Sequence, residues 1–438
     1  MATDLTPPAA LAAVSSGQSP PAAHPAAARP MAAHQAGWAQ GVVLVLAGFL
    51  PILAIVSLTP AVPTILDHFR AVGQIGADAS LLVTLLVTAP GLSIALLSPF
   101  AGMLVDRYGR RPLLVGAALL YGAVGVAPYF LDSLKAIIAS RLALGVAEAA
   151  ILTIVNTLIA DYFTPVGRRR LLMLQGMAGP ALASLVIAGS GALTVIGWNT
   201  SFLIYLSAIP IFLGMYAYIF EPVGDAPGAG SPAVGAVAPG TTAPSGRAPF
   251  PLKAVVIFGA ATLFASSLYY VFIVQGGLAF REVGVADPAA AGRYISLASL
   301  AVPVGALIFG AVGARGTALQ ILMFLGMLGI GLTGIGLAHD PTTMVALLVI
   351  QQMGAGMTIP TLVAWAQSEL PFEHRGRGMG VWSSCFFLGQ FTSPFFVALA
   401  KGIAGTGTVQ SAFVVMGGIA LAGAAIAAIL AFRAKSSA

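Results

Sequence analysis

Charge is what this chain has least of. Only 8% of its 438 residues are Asp, Glu, Lys or Arg, while 58% are hydrophobic. A soluble domain carries roughly 25% charged residues. With a mean hydropathy of +0.95, the chain is expected to lie in a lipid bilayer as an integral membrane protein. Cysteine is nearly missing too. Cys385 stands alone, which excludes a disulfide within the chain and any cysteine-held zinc or iron–sulfur centre. The histidines, His24, His34, His68, His339 and His374, all fall outside the long apolar runs. No H-E-x-x-H, no G-x-S-x-G and no Walker-type phosphate loop occurs. These absences exclude the zinc-protease and serine-hydrolase chemistries of those motifs, and direct drive by ATP. No metal, no cofactor and no catalytic residue is expected. The formal net charge of +6 could suggest nucleic acid. The basic residues sit in short loops beside apolar runs, so they report topology and no nucleic-acid partner is expected.

What is present is hydrophobic sequence of membrane length. A spanning helix needs about 20 apolar residues, and twelve segments qualify. They lie near 41–66, 80–105, 112–131, 134–160, 171–193, 200–220, 253–279, 288–312, 317–338, 342–368, 378–400 and 409–432. Residues 1–40 are rich in Ala, Pro, Ser and Gly and lack an apolar core, so a disordered cytoplasmic tail is expected rather than a signal peptide. The stretch 221–251, E-P-V-G-D-A-P-G-A-G-S-P and onward, is a Pro/Gly/Ala linker without helical period. It divides the chain into six-helix bundles over 41–220 and 252–433, with a short tail at 434–438.

Of the 20 Lys and Arg residues, Arg141 lies within a span and Arg70, Lys135, Arg281, Arg293 and Lys401 lie on one side; the remaining fourteen share the side of the termini. The positive-inside rule then puts both termini in the cytoplasm. The halves also repeat. At one offset of 208, Gly102 pairs with Gly310, Arg107 with Arg315, Asp161 with Glu369 and Arg169 with Arg377. Parallel six-helix repeats of this kind place a substrate site between the halves near the bilayer midplane.

Residues Gly102 to Arg111 read G-M-L-V-D-R-Y-G-R-R between two apolar runs. Such charge is costly in hydrocarbon, so a short polar surface turn is expected. The pattern G-x-L-x-D-R-x-G-R-R resembles the signature loop between helices two and three of major facilitator superfamily transporters. Asp161 with Arg168 and Arg169, and Glu369 with Arg375 and Arg377, resemble the matching acid-then-basic loops of that superfamily. The resemblance runs from about Gly41 to Arg433 and implies an all-α membrane fold of twelve helices in two pseudo-symmetric bundles. It implies a conformational latch formed by Gly102, Asp106, Arg107, Gly109, Arg110, Arg111 and those loops, holding the halves together on the cytoplasmic side.

Span four reads R-L-A-L-G-V-A-E-A-A from Arg141 to Ala150. Seven residues separate Arg141 from Glu148, so both sit near one helix face, about 10 Å apart along the axis. Gly145 between them leaves room for a neighbouring helix. Glu148 is the single acid well inside a span. A carboxylate there must protonate or find a partner. The segment resembles the superfamily's span-four motif, whose arginine is tied to proton coupling or anionic substrates. A static pair that fixes packing is the alternative.

In span five, Gly179-Pro180 resembles part of the G-x-x-x-G-P-x-x-G-G pattern of the drug/proton antiporter branch, although Gln175, Ala183 and Ser184 depart from it. Small residues there serve helix packing. Under that fold, Asn156, Tyr269, Tyr270, Gln275, Gln351, Gln352 and Trp365 are expected to face the cavity, with Gln175 and Gln390 flanking it. Such a wall suits a lipophilic or weakly polar substrate. Asp67 and His68 end span one at its outer edge, where a solvated helix end is expected, and Trp198 is expected to be an interfacial anchor. The expectation overall is a monomeric transporter in a bacterial inner membrane. It would work by alternating access and export a small molecule against protons; a proton-coupled uptake symporter is the alternative.

The charge bias makes a direct prediction. Topology reporters fused at Ala36, at Gly240 and after Lys435 should all report cytoplasm, and an external signal from any one would break the assignment.

Overall fold

The computed structural model describes residues 36–76, 80–221, 250–312, 315–371 and 374–436. The amino-terminal tail and nearly all of the Pro/Gly/Ala linker lie outside these residues. The described residues form helices and short turns. Span one is α1 (Trp38–Val56) followed by α2 (Val62–Ala71). Spans two to five are α3 (Ser80–Tyr108), α4 (Arg110–Val126) with a 3-10 turn at Ala127–Phe130, α5 (Leu134–Tyr162) and α6 (Pro165–Ile196). Span six is a 3-10 stretch, Thr200–Ser207, running into α7 (Ala208–Tyr218). The second half repeats the count with α8 (Leu252–Glu282), α9 (Pro288–Ser299) and α10 (Val302–Val312) as one broken span, α11 (Thr317–Leu337), α12 (Pro341–Glu369), α13 (Arg375–Ala404) and α14 (Val409–Ser436). Eleven described stretches are long and apolar enough to cross a membrane, and α3 contributes a shorter apolar core over Thr84–Phe100. Large apolar side chains such as Phe130, Leu185, Ile196 and Leu307 point outward, each at least 70% exposed, as lipid-facing surface requires.

The chain starts its helices where proline and short polar side chains allow. Thr164, Asp287 and Asp340 each precede a proline at the first helical position and accept hydrogen bonds from the first turn, the usual division between cap and proline. Asp340 accepts from both the amide and the hydroxyl of Thr343, at 2.9 and 2.6 Å, and these bonds hold its carboxyl below the usual range. Breaks also follow proline. Pro60 and Pro63 cannot donate a backbone hydrogen bond, and span one opens into a turn over residues 57–61.

Gly102 to Arg111 differs from the expected polar turn. Helix α3 runs on to Tyr108 and α4 starts at Arg110, so the reversal is Gly109 alone. Its φ of 85° is open to glycine at no steric cost, and one such residue turns the chain without a loop. Gly316, with φ of 96°, starts α11 in the same way, at an offset of 207 from Gly109.

In the amino-terminal half α1 packs on α5, α6 and α7, and α3 on α5. In the carboxy-terminal half α11 packs on α12 and α14, and α8 on α13. Across the halves α3 meets α13 and α6 meets α9. Several cross-half polar contacts gather toward one end. Thr59 Oγ1 donates to the Ile273 carbonyl at 2.7 Å, and Ser184 Oγ to the Ser296 carbonyl at 2.9 Å. Asp67, expected to be solvated, instead pairs with Arg281 across the halves at 2.6 Å. Both side chains are nearly half exposed, so the pair contributes about 0–1 kcal/mol. Trp198, expected at the interface, stacks on His68 with centroids 4.1 Å apart and so braces the same end.

Gly145 meets its expectation of close approach. A Cβ placed there would lie 2.4 Å from the Pro90 carbonyl oxygen and 2.8 Å from Ser93 Cβ, so α5 and α3 touch backbone to backbone. Gly145→Ala should therefore lower stability by about 1–3 kcal/mol, the range for overpacking, read as a fall in the thermal midpoint of the purified protein in detergent. Gly116→Ala, where a Cβ meets nothing within 4 Å, should melt like the parent. Equal midpoints for the two variants would contradict the packing described.

Candidate functional site: a buried Arg–Glu helix and its helix-end braces

The loops expected to act as a cytoplasmic latch are built from helix ends. Arg110 Nη1 lies 3.1 Å from Asp161 Oδ2, which joins the start of span three to the end of span four. Glu221 is a partner that sequence reasoning missed. Its two carboxylate oxygens accept from the Arg110 and Arg111 backbone amides, each at 2.8 Å. A carboxylate on the free N–H groups of a helix start satisfies donors that have no partner within the helix and meets the positive end of the dipole. Arg111 in turn donates to the Tyr216 carbonyl at 3.1 Å. The signal for Glu221 is its place directly after span six, where its Pro/Gly/Ala surroundings read as linker. Asp161 and Glu221, the partners of Arg110 and Arg111 described above, belong to the amino-terminal half, so these contacts brace that half rather than hold the two halves together. Gly102, Asp106 and Arg107 fall in the last turns of α3, and Arg168, Arg169 and Arg375 at helix starts; the side chains of all six lie outside the described set.

The carboxy-terminal counterpart lies at the end of α12. Trp365 Nε1 donates to Glu369 at 3.3 Å. Both line a cavity of about 640 Å³ with Phe250 and Lys253, so Trp365 sits at the helix end and not near the midplane. Arg377 stands over the Phe250 ring at 5.1 Å.

The deep site is Arg141 with Glu148. Arg141 is fully buried. Nη2 donates to the carbonyls of Val124 and Gly125, at 3.1 and 2.9 Å, and Nη1 to the Tyr205 hydroxyl at 2.9 Å. Pro128 explains the first of these partners. It sits four residues after Val124 in the 3-10 turn that ends span three and has no N–H to offer that carbonyl. The guanidinium takes the vacancy and stacks on the Phe202 and Tyr205 rings at 5.2 and 4.9 Å.

Glu148 is 1% exposed, and its Oε1 is buried without a hydrogen-bond partner. Arg141 is the cation it faces, but the donors of Arg141 described above go to carbonyls and a hydroxyl. The two groups interact through space, as the seven-residue spacing on one helix suggested. A buried carboxyl that makes no direct ion pair can change protonation without breaking a structural bond, which a static pair could not do.

The proposed cavity residues divide. Tyr270 is buried on α8. Tyr269 and Tyr270 pack on Phe386 with centroids 5.8 and 5.6 Å away, and Trp382 stacks on Phe386 at 5.3 Å. Trp382 and Phe386, one helical turn apart on α13, were missed because two aromatics in an apolar run look like ordinary core. Gln275 is buried with Oε1 unpartnered, and Gln352 is buried on α12. Others belong to packing seams instead. Gln351 is buried with its backbone and Cβ against Gly331 of α11, Gln390 lies against Gly91 of α3, and Gln175 lies over Gly48 of α1. Asn156 is exposed. Pro180 lies inside an unbroken α6, and a Cβ on Gly179 would reach only Ile52 at 3.9 Å, so Gly179 is not a point of close helix approach.

Comparison with known proteins agrees with this architecture. The Major Facilitator Superfamily profile matches residues 44–394 and 286–438. The chain is 24% identical over 340 residues to the 3-(3-hydroxy-phenyl)propionate transporter of Escherichia coli, covering 76% of this chain and 81% of that protein. It is 28% identical over 181 residues to the efflux pump dotC of Dothistroma septosporum, covering 41% of this chain and 30% of the pump. Among solved structures, a bacterial homolog of the human lysosomal transporter Spinster, in an inward-facing and occupied conformation, superposes with a TM-score of 0.70 at 15% identity. That match covers 90% of this chain and 96% of that one.

Glu221→Ala would leave two helix-start amides without their acceptor. It should cost about 0.5–2 kcal/mol, the range for a lost cap, seen as a lower thermal midpoint. An unchanged midpoint would show that the brace is not energetically coupled to the fold.

Proposed function

The chain belongs to the Major Facilitator Superfamily and is a multi-pass membrane transporter rather than an enzyme; from that premise we propose that it moves a small aromatic or weakly polar molecule by proton-coupled alternating access. The observation that carries this reading is Glu148: a buried carboxyl without a direct ion pair. Protonation neutralises the carboxyl and ionisation restores a charge beside Arg141. Each change alters the cost of keeping the site closed on one side. The aromatic wall of Tyr269, Tyr270, Trp382 and Phe386 offers ring faces to a flat apolar solute.

Export in exchange for protons is the first direction proposed. Arg141 is the basic side chain of the membrane interior, and its hydrogen bonds go to carbonyls and Tyr205. It offers little to an anionic cargo, and an uncharged cargo suits the wall better. Inward proton movement supplies about 2.3 kcal/mol per charge per 100 mV, enough to drive a neutral solute outward. Uptake of an aromatic acid with protons is the second reading, and similarity to the 3-(3-hydroxy-phenyl)propionate transporter favours it. On either reading the protein sits in a bacterial inner membrane with both termini inside and works as a monomer, with the proton gradient as its energy source.

Cells lacking the protein should retain more substrate across a panel of dyes, antibiotics and aromatic acids, and an uncoupler should make complemented cells resemble them. Complementation that instead raises uptake of an aromatic acid would replace export with symport. Glu148→Gln should lose gradient-driven accumulation while keeping counterflow of the same compound. A variant that still concentrates substrate against its gradient would remove Glu148 as the carrier.

A further inference from the structure

Span one is the element on which the two halves meet the Arg141 site. Its break over residues 57–61 touches three neighbours. The Ser57 carbonyl accepts from Ser190 of α6, and Thr59 Oγ1 donates to the Ile273 carbonyl of α8 at 2.7 Å. Gly277 of α8 lies so close under the Thr59 carbonyl that a Cβ there would be 2.2 Å away. Whatever holds the last turn of α1 therefore bears on a contact between halves.

Two tyrosines hold it. Tyr121 of α4 donates to the Leu50 carbonyl at 2.6 Å, and Tyr205 of span six donates to the Ala54 carbonyl at 2.9 Å. Both are fully buried, and both tie their helix to span one. They differ in one respect. The Tyr205 hydroxyl also accepts from Arg141 Nη1 at 2.9 Å, whereas Tyr121 bonds only the carbonyl among the hydrogen bonds described. The Tyr205 ring lies over Gly125, where a Cβ would be 2.6 Å from the ring, so its position is fixed. One oxygen thus receives from the guanidinium facing Glu148 and donates to the carbonyl just before the break.

We propose that Tyr205 is a positioning residue that couples the charge state of the Arg141–Glu148 helix to the break in span one, and through it to the closure between the halves. The inference rests on Glu148 being the proton carrier. When Glu148 is ionised, the guanidinium is drawn along α5 toward the carboxylate and its hold on the Tyr205 hydroxyl weakens. When Glu148 is neutral, the guanidinium stays with Tyr205. The hydrogen bond from Tyr205 to Ala54 strengthens or slackens with that change, because a chain of hydrogen bonds polarises along its length. Among the described residues, the titratable and charged groups whose charge Glu148 feels are Arg141 on its own helix, Tyr121 on α4, Tyr205 on span six and Tyr270 on α8; α1 carries none.

The test uses access rather than substrate. In a parent with Cys385→Ala and Ser184→Cys, the reporter sits at the contact between Ser184 and Ser296 of opposite halves. Its reaction with a membrane-impermeant maleimide is followed across pH in full-length protein reconstituted in liposomes. Taken relative to the rate of the unfolded protein at each pH, so that the thiol's own ionisation cancels, labelling of the parent should show a pH midpoint that Glu148→Gln abolishes. Tyr205→Phe frees Nη1 to turn toward Glu148 and should move the labelling midpoint to lower pH by about one unit, the size that one hydrogen bond to a charged group can supply. Tyr121→Phe loses the same kind of bond to span one without touching Arg141, and should leave the midpoint in place even if the protein melts earlier. Equal midpoints for Tyr205→Phe and the parent, or equal shifts for the two tyrosine variants, would overturn the proposal and leave the proton-coupled reading intact. A parent whose labelling ignores pH would remove both.

Discussion

The fold is organised around a cation that has no water to turn to. A guanidinium inside a bilayer is costly unless its donors are met, and here Nη1 and Nη2 are met by groups left over by the protein's own irregularities, while Nε stays buried without a partner. The 3-10 turn at Ala127–Phe130 ends span three early, and Pro128 leaves the Val124 carbonyl without its helical donor. The 3-10 stretch that opens span six carries Tyr205 and Phe202 to either side of the charge. Span one breaks where Tyr205 reaches it. Three departures from regular helix thus converge on Arg141. Removing the charge would take the donor from the buried Val124 carbonyl, so the arrangement stands as a unit.

With Nη1 and Nη2 of Arg141 taken by a hydroxyl and two carbonyls, the acid on the same helix face has no direct ion-pair partner. That is the link from packing to function. In a close ion pair Glu148 would be a structural strut. As a buried carboxyl apart from its cation, it can change charge without dismantling a bond, while the field at Arg141 changes with it. Contacts between the halves lie at the same break in span one, so the site and the contact between the halves share one helix.

Much of this was legible in the sequence, for identifiable reasons. Membrane-length apolar runs set the span count, because hydrocarbon tolerates few alternatives to a helix. The spacing of Arg141, Gly145 and Glu148 fixed a shared face and a close helix approach, since a helix period leaves little freedom over seven residues. Other features depend on tertiary contact and left no periodic trace. Nothing around Tyr205 or Glu221 distinguishes a tyrosine that holds an arginine, or an acid that caps a neighbouring helix, from ordinary boundary residues. Asp67 was legible as a helix-end acid but not as the partner of Arg281, because the two lie far apart in sequence and on opposite halves. Gln351 shows the reverse: a polar residue in a span is expected to face the cavity, whereas its backbone and Cβ lie against Gly331 of α11.

The central claim is that Glu148 takes up and releases a proton within the membrane. Infrared difference spectroscopy of the reconstituted protein between acid and alkaline pH tests it most directly, because a buried carboxylic acid has a carbonyl stretch distinct from that of a carboxylate. The account predicts a protonated-carboxyl band that titrates in the parent and is missing in Glu148→Gln. A band that survives the substitution, or a parent with no titrating buried carboxyl, would contradict it.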